Sequence, residues 1–372
     1  MTEVTGDLSR ASALLDVKRY DEAASLLTLI VAVEPQDSRA WCLLAAAHLG
    51  NGQYQEAAKA AGRAVTLAPS DDWPYRLAST AQAHLGHITA ARAAATEACK
   101  LAPGNWRAHL CLAQAELAGY VKFNAWEEGA SPAQRAIASA LRLAPDEPDV
   151  HVVAGRLSFA LGRRRAARAH LERALALDPV HSGALNELGR HAADGARAAR
   201  YFIHAARSAP EISVYGQNVD ATVRRLVYWT IYGAALAGVV LSFLTGYTRL
   251  GRGPLLIGYA AIVVLSAGFL AVQLQRMPPA ARPLFRTRRI ALALATAYGA
   301  ILIAMIVAAV TPVGALPTAV RPVTLLIVAS TFIAAAILRR KQSSTVDHQR
   351  TGSVTTTNHP VPSSRQRLDP LP

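Results

Sequence analysis

Hydrophobic positions along the chain follow two patterns, and the change between them falls near residue 211. Before it, apolar residues recur three and four positions apart and a proline breaks the run at regular intervals. Pro35, Pro69, Pro103, Pro145, Pro179 and Pro210 are spaced 34, 34, 42, 34 and 31 residues apart. Twelve residues before each stands an alanine: Ala23, Ala57, Ala91, Ala133, Ala167 and Ala198. Eight before stand Leu27, Ala61, Ala95, Ile137, Leu171 and Phe202, and five before stand Ile30, Ala64, Ala98, Ala140, Ala174 and Ala205. These offsets put the residues on one helical face. Small side chains there admit a second helix, and the proline ends the first. A second periodic segment lies upstream in each unit, such as AWCLLAAAHLGNG at 40–52, with Gly52, Gly86 and Gly162 at the turns. The pattern predicts six stacked helix–turn–helix hairpins over residues 4–210, an all-α architecture.

After residue 211 the pattern becomes continuous. A linker or capping helix is predicted over 211–225, because a stack needs its last apolar face covered. Four apolar runs follow, at 226–247, 254–275, 290–311 and 318–338. Each is near the ~20 residues that cross a bilayer as a helix, the fourth with Arg321 at its edge. The expectation is a four-helix transmembrane region, then a polar tail over 339–372 that reads as disordered.

Charge sharpens this division. The net charge of +14 resides in the second half: residues 1–220 hold 23 basic and 23 acidic residues, whereas 221–372 hold 16 basic residues and only Asp347 and Asp369. The arginines flank apolar runs, which fits membrane orientation better than nucleic-acid binding. Arg224 and Arg225, the loop from Arg276 to Arg289, and Arg339 to Lys341 fall on one side. The repeats and tail are therefore expected in the cytoplasm of a multi-pass plasma-membrane protein. The N-terminus lacks an apolar signal core, which agrees. The runs carry no Asp, Glu, Lys or His, which argues against transport. Small residues recur every fourth position at Ala234, Gly238, Ser242 and Gly246, and at Ala291, Ala295 and Gly299. Such seams serve helix packing, within the chain or toward an oligomer or membrane partner.

The hairpins resemble the tetratricopeptide repeat family. The matching residues in the second unit are Trp41, Leu44, Ala45, Gly52, Tyr54, Ala57, Ala64 and Pro69. The resemblance implies an α-solenoid whose first helices line a concave groove that takes an extended peptide or helix. Carried over by unit, the groove residues are Arg39, Trp73, Arg76, Arg107, Gln114, Arg156, Phe159, Asn186 and Arg190. The fourth unit has eight extra residues near 119–132, whose Tyr120, Phe123 and Trp126 are a possible contact loop.

Chemistry is sparse. Cys42, Cys99 and Cys111 have no paired spacing, and the two histidines of HLGH at 84–87 make a weak metal motif. No catalytic residue, cofactor or metal site is expected. The reading is a membrane-anchored scaffold that binds a cytoplasmic protein partner. The alternative is a structural subunit of a membrane secretion or envelope-assembly complex, with contacts made by the apolar helices.

Overall fold

The computed structural model describes residues 2–123, 131–210, 212–248, 252–286, 288–310, 327–334 and 336. Every described element is helical. Five hairpins come first: α1 (Thr2–Asp16) with α2 (Tyr20–Val33), α3 (Ser38–Gly50) with α4 (Tyr54–Leu67), α5 (Asp72–His84) with α6 (Ile88–Leu101), α7 (Trp106–Phe123) with α8 (Pro132–Leu143), and α9 (Pro148–Ala160) with α10 (Arg164–Leu177). A sixth pairs α11 (Ser182–Arg190) with α12 (Gly195–Ser208). Then come α13 (Ser213–Thr248), α14 (Arg252–Arg276), a 3-10 segment Pro279–Arg286, and α15 (Arg288–Val310). The chain divides into two compact units between Ala184 and Leu185, so α12 belongs with the apolar helices.

The alanine rows read from the sequence form the hairpin cores. Ala23, Ala57, Ala91, Ala133, Ala167 and Ala198 are all fully buried, as are Ala64, Ala98, Ala140, Ala174 and Ala205. Within the first unit, successive first helices pack on one another, α1 on α3, α3 on α5, α5 on α7 and α7 on α9. The loops between hairpins are stitched by two further rows. Two residues after Pro35, Pro69 and Pro103, the side chains of Asp37, Asp71 and Asn105 accept hydrogen bonds from backbone N–H groups of the next helix, satisfying donors that a helix start leaves open. Six residues after the proline, a ring or hydroxyl donates back to the proline carbonyl: Trp41 Nε1 at 3.0 Å, Tyr75 Oη at 3.2 Å, His109 Nε2 at 2.8 Å and His151 Nε2 at 2.7 Å. His109 and His151 are thus structural clamps.

The turns inside hairpins need a positive φ. Gly52, Gly86 and Gly162 supply it at 71°, 77° and 73°. In the first hairpin Lys18 holds the same position at 61°. The extra residues of the fourth hairpin partly extend its first helix: α7 runs 18 residues where α3, α5 and α9 run 13. A capping box then restarts the chain, with Ser131 accepting from Gln134 N–H and the Gln134 side chain accepting from Ser131 N–H.

In the second unit, α13 runs 36 residues without a break. Its start closes the sixth hairpin: Asn218 Nδ2 donates to Asn186 Oδ1 at 2.9 Å, and Val219 packs with Phe202 and Ile203 of α12. Further along, Ala234 and Ala235 pack with Tyr259, Ile301 and Ile327. The seam residue Gly238 faces inward, since a Cβ there would lie 3.4 Å from Ile327 Cδ1 and 3.7 Å from Tyr259 Cε1. On α15 the seam points the other way: Ala291 and Ala295 are exposed while Ala293 and Ala297 are buried. Among the described residues, one stretch is long and apolar enough to cross a membrane, Leu256–Arg276, with mean hydropathy 2.0. Ile290–Ile303 is apolar but shorter. Most of the expected fourth run, and the tail over 339–372, lie outside the described residues.

Candidate functional site

The first helices of hairpins three to five bring charged side chains onto one continuous strip of the first unit. Asp72 begins it at the N-terminus of α5. Its Oδ2 accepts from Arg76 Nε at 2.6 Å and from Asn105 Nδ2, one hairpin on, at 2.9 Å. Arg107 follows at the start of α7, with its guanidinium carbon 4.3 Å from the centre of the Trp106 ring. It feels the charges of Glu147, Arg76, Asp149 and Asp72. Asp149, buried on α9, takes His181 Nε2 at 3.2 Å. The strip therefore carries both signs in turn: the acid Asp72, the bases Arg76 and Arg107, then the acids Glu147 and Asp149 with His181 against them.

Glu147 stands at the N-cap of α9 but makes no capping bond. Burial, then the charge of Asp149, raise its pKa against the pull of Arg107 and His181. For His181, burial works against the charged ring, but the Asp149 carboxylate more than offsets it and the pKa is raised. His181 Nδ1 meanwhile accepts from Ala184 N–H at 3.2 Å, the arrangement of a neutral ring with its proton on Nε2.

The expected groove residues do not form one set. Arg76 and Arg107 lie together on the strip. Trp73 is half-buried against the first core cluster, and Phe159 is half-buried on α9. Arg39 is exposed near the N-terminus of α3. Gln114 and Arg156 are buried, at 7% and 9% exposure, so a ligand meets little of either. Asn186 is 2% exposed and its carbonyl is committed to Asn218 of the capping helix. Arg190 is directed at the fully buried Glu187, at 3.1 Å and 3.3 Å. Arg156 and Arg190 belong to different units, and each is described within its own. The side chains of Tyr120 and Phe123, and Trp126 altogether, lie outside the described residues.

The sequence reading missed Asp72, Asn105, Glu147 and His181. Asp72 and Arg76 are four apart on one helix and could have been paired from spacing. The cross-hairpin bonds had no such signal.

The remaining chemistry is muted. Burial pushes the Cys42 thiol up to about 12 and Cys99 up to about 11, which leaves both protonated and poorly nucleophilic. No group of three metal-ligating side chains gathers among the described residues. The HLGH histidines part company: His84 stacks on Tyr54, ring centres 4.1 Å apart, while His87 bonds Gln82 at 2.8 Å.

A family model for the tetratricopeptide repeat matches residues 8–72 and 152–200. These are tetratricopeptide repeats. Repeats of this kind serve as protein-interaction scaffolds. Solved structures of repeat proteins resemble about half of the chain. A thermophilic TPR protein of Thermus thermophilus is 23% identical, with a TM-score of 0.41, over 47% of this chain and 92% of that one. YrrB, described as a TPR protein with an unusual peptide-binding site, is 18% identical with a TM-score of 0.34, over 49% and 89%. MamA is 17% identical with a TM-score of 0.35, over 48% and 94%. No curated protein matches the chain.

Proposed function

We propose that this chain is a membrane-anchored, non-catalytic scaffold whose tetratricopeptide groove holds an extended segment of a protein partner. The observation that carries this is the strip of mixed charge from Asp72 to His181. Its Arg107 lies on Trp106 and forms no hydrogen bond to a carboxylate among the described residues, while Glu147 caps nothing. An arginine beside an aromatic ring and an uncommitted carboxylate next to it suit a segment carrying both an acidic and a basic side chain. Anchoring is supported by Leu256–Arg276 and by the exposed apolar side chains of α13 to α15, among them Leu236, Val240, Ile257, Val264, Leu265, Leu292 and Leu302. A surface of that kind in water is an aggregation hazard, and in lipid it is ordinary. Four spans with the repeats and tail on the cytoplasmic side remain the topology that the arginine distribution favours. Holding a partner at the bilayer raises its local concentration without chemistry.

The test uses the full chain in detergent against an array of extended peptides that vary the sign and spacing of two charges. Arg107→Glu and Glu147→Arg should each lose the wild-type peptides by on the order of tenfold. Peptides with the corresponding charge inverted should recover binding. Equal binding by wild type and both variants would remove the strip as the site.

A further inference from the structure

From Gly195 to Val310 the sequence has only two acidic residues, Glu211 and Asp220, and Asp220 is already paired with Arg224 at 2.5 Å. The arginines of this unit are not scattered. Arg197, Arg200, His204 and Arg207 follow one another at three and four residues along α12, and all four are exposed. The opposite face of α12 is fixed: Ala196, Ala198, Ala199, Phe202 and Ile203 pack with Met277 and Ala281. Met277 directly follows Arg276, the last residue of the apolar stretch, and is 1% exposed. The helix bearing the arginine stripe is therefore docked at the very end of that stretch.

Three further arginines share this level. Arg276 is exposed at the end of α14. Arg282 folds back and donates to the carbonyls of Met277 and Gln275, both at 3.2 Å, closing the same helix end. Arg225 is exposed on α13 just before Tyr228, Trp229 and Tyr232, where the two tyrosines stack and Trp229 meets both edge-on. Trp229 and Tyr232 are 59% and 43% exposed, and exposed apolar side chains begin one turn later at Leu236. Cations, then an aromatic layer, then apolar surface is the order in which a bilayer presents headgroups, interface and hydrocarbon.

We propose that the exposed stripe Arg197, Arg200 and Arg207, with Arg225 and Arg276, is a binding surface for the headgroups of anionic phospholipids in the bilayer that the apolar helices enter. The inference rests on the anchoring reading above and adds a lipid class to it. The occupant is a lipid rather than an acidic protein because the stripe continues into the aromatic and apolar surface, and Asp220, the described acidic residue on the way, is already paired with Arg224. The stripe holds the last hairpin down on the membrane, and the charges that would otherwise repel one another are neutralised by the lipid.

Native mass spectrometry of the full chain in detergent, titrated with phosphatidylglycerol or phosphatidylcholine of the same acyl chains, tests this. The expected result is a preference for phosphatidylglycerol that falls on the order of tenfold in the triple variant Arg197→Gln, Arg200→Gln, Arg207→Gln. All three side chains are solvent-exposed, and circular dichroism checks that the variant is folded. The same preference in the wild-type chain should weaken as ionic strength rises. Equal binding of the two lipids, a preference unchanged in the variant, or inorganic phosphate displacing the lipid at matched concentration would overturn the inference. Alkaline carbonate washing of membranes that hold the wild-type chain tests the anchoring separately. Release would remove the anchoring reading and this inference with it, whereas retention without a lipid preference removes this inference alone.

Discussion

Gly155 leaves no room for a methyl group, because Leu171 occupies the place where one would go. A Cβ built on Gly155 would lie 2.9 Å from Leu171 Cδ2 and 3.2 Å from the carbonyl oxygen of Ala167. The equivalent pairs in the second and third hairpins are Ala45 with Ala61 and Ser79 with Ala95, so the fifth hairpin has moved volume from one helix to the other. Gly189 and Phe202 repeat the exchange in the sixth, at 2.6 Å. Gly155→Ala should therefore destabilise by about 1–3 kcal/mol through overpacking, despite its better helix propensity. Adding Leu171→Ala to it should cost less than the sum of the two single changes. A double-mutant cycle by thermal unfolding of the full chain in detergent measures this, and additive losses would show that the contact is not tight.

His84 makes the first unit acid-sensitive. Burial, helped by the charge of Arg156, lowers its pKa from 6.5 to about 4. Its ring is 5% exposed, and Nδ1 has no hydrogen-bond partner among the described residues. A histidine whose folded pKa is depressed stabilises fully above its unfolded value near 6.5, and the contribution is lost as pH falls toward 4. At ~1.4 kcal/mol per unit, the loss is about 3 kcal/mol. His84→Phe keeps the stack on Tyr54 and should flatten the decline between about pH 6.5 and 4. An unchanged decline would assign it to other groups.

His181 has the opposite sign. Its pKa is raised because the Asp149 interaction outweighs burial, so its contribution is complete below about 6.5 and fades as pH rises through the folded value. Protonation gives up the Nδ1 contact with Ala184 N–H in exchange for a charged bond to Asp149. Asp149→Asn should bring the pKa of His181 down and remove the loss on the alkaline side. Proton NMR titration of the ring reads the pKa directly. A ring that titrates alike in wild type and variant would contradict the pairing.

The rows legible in the sequence are those set by helix geometry alone. The residues twelve and five before each proline, all alanine except Ile30, must share a face, and they are buried without exception. The strip from Asp72 to His181 was harder to see because its bonds join residues some 32 or 33 positions apart, Asp72 to Asn105 and Asp149 to His181. Those pairs depend on how successive hairpins stack. Asn186 shows the same limit. Spacing placed it on the groove face, but the capping helix α13 covers that face at the last hairpin and uses its carbonyl. Arg156 occupies the expected helix position and is nonetheless buried.

Lys18 is the one non-glycine residue at a left-handed turn among the described residues, with φ at 61° where Gly52 has 71°. A side chain in that region costs about 1 kcal/mol through the contact of its Cβ with the following carbonyl. Glycine avoids this but loses more backbone freedom on folding, which offsets part of the gain. Lys18→Gly should consequently stabilise the first hairpin by about 0.5 kcal/mol, and Gly52→Lys should destabilise the second by about 1 kcal/mol or more. Hydrogen exchange of the amides in α2 and α4 reads the two hairpins separately: protection should rise in α2 with the first change and fall in α4 with the second. A loss of protection in α2 with Lys18→Gly would mean that the lysine side chain, rather than the turn, holds the first hairpin closed.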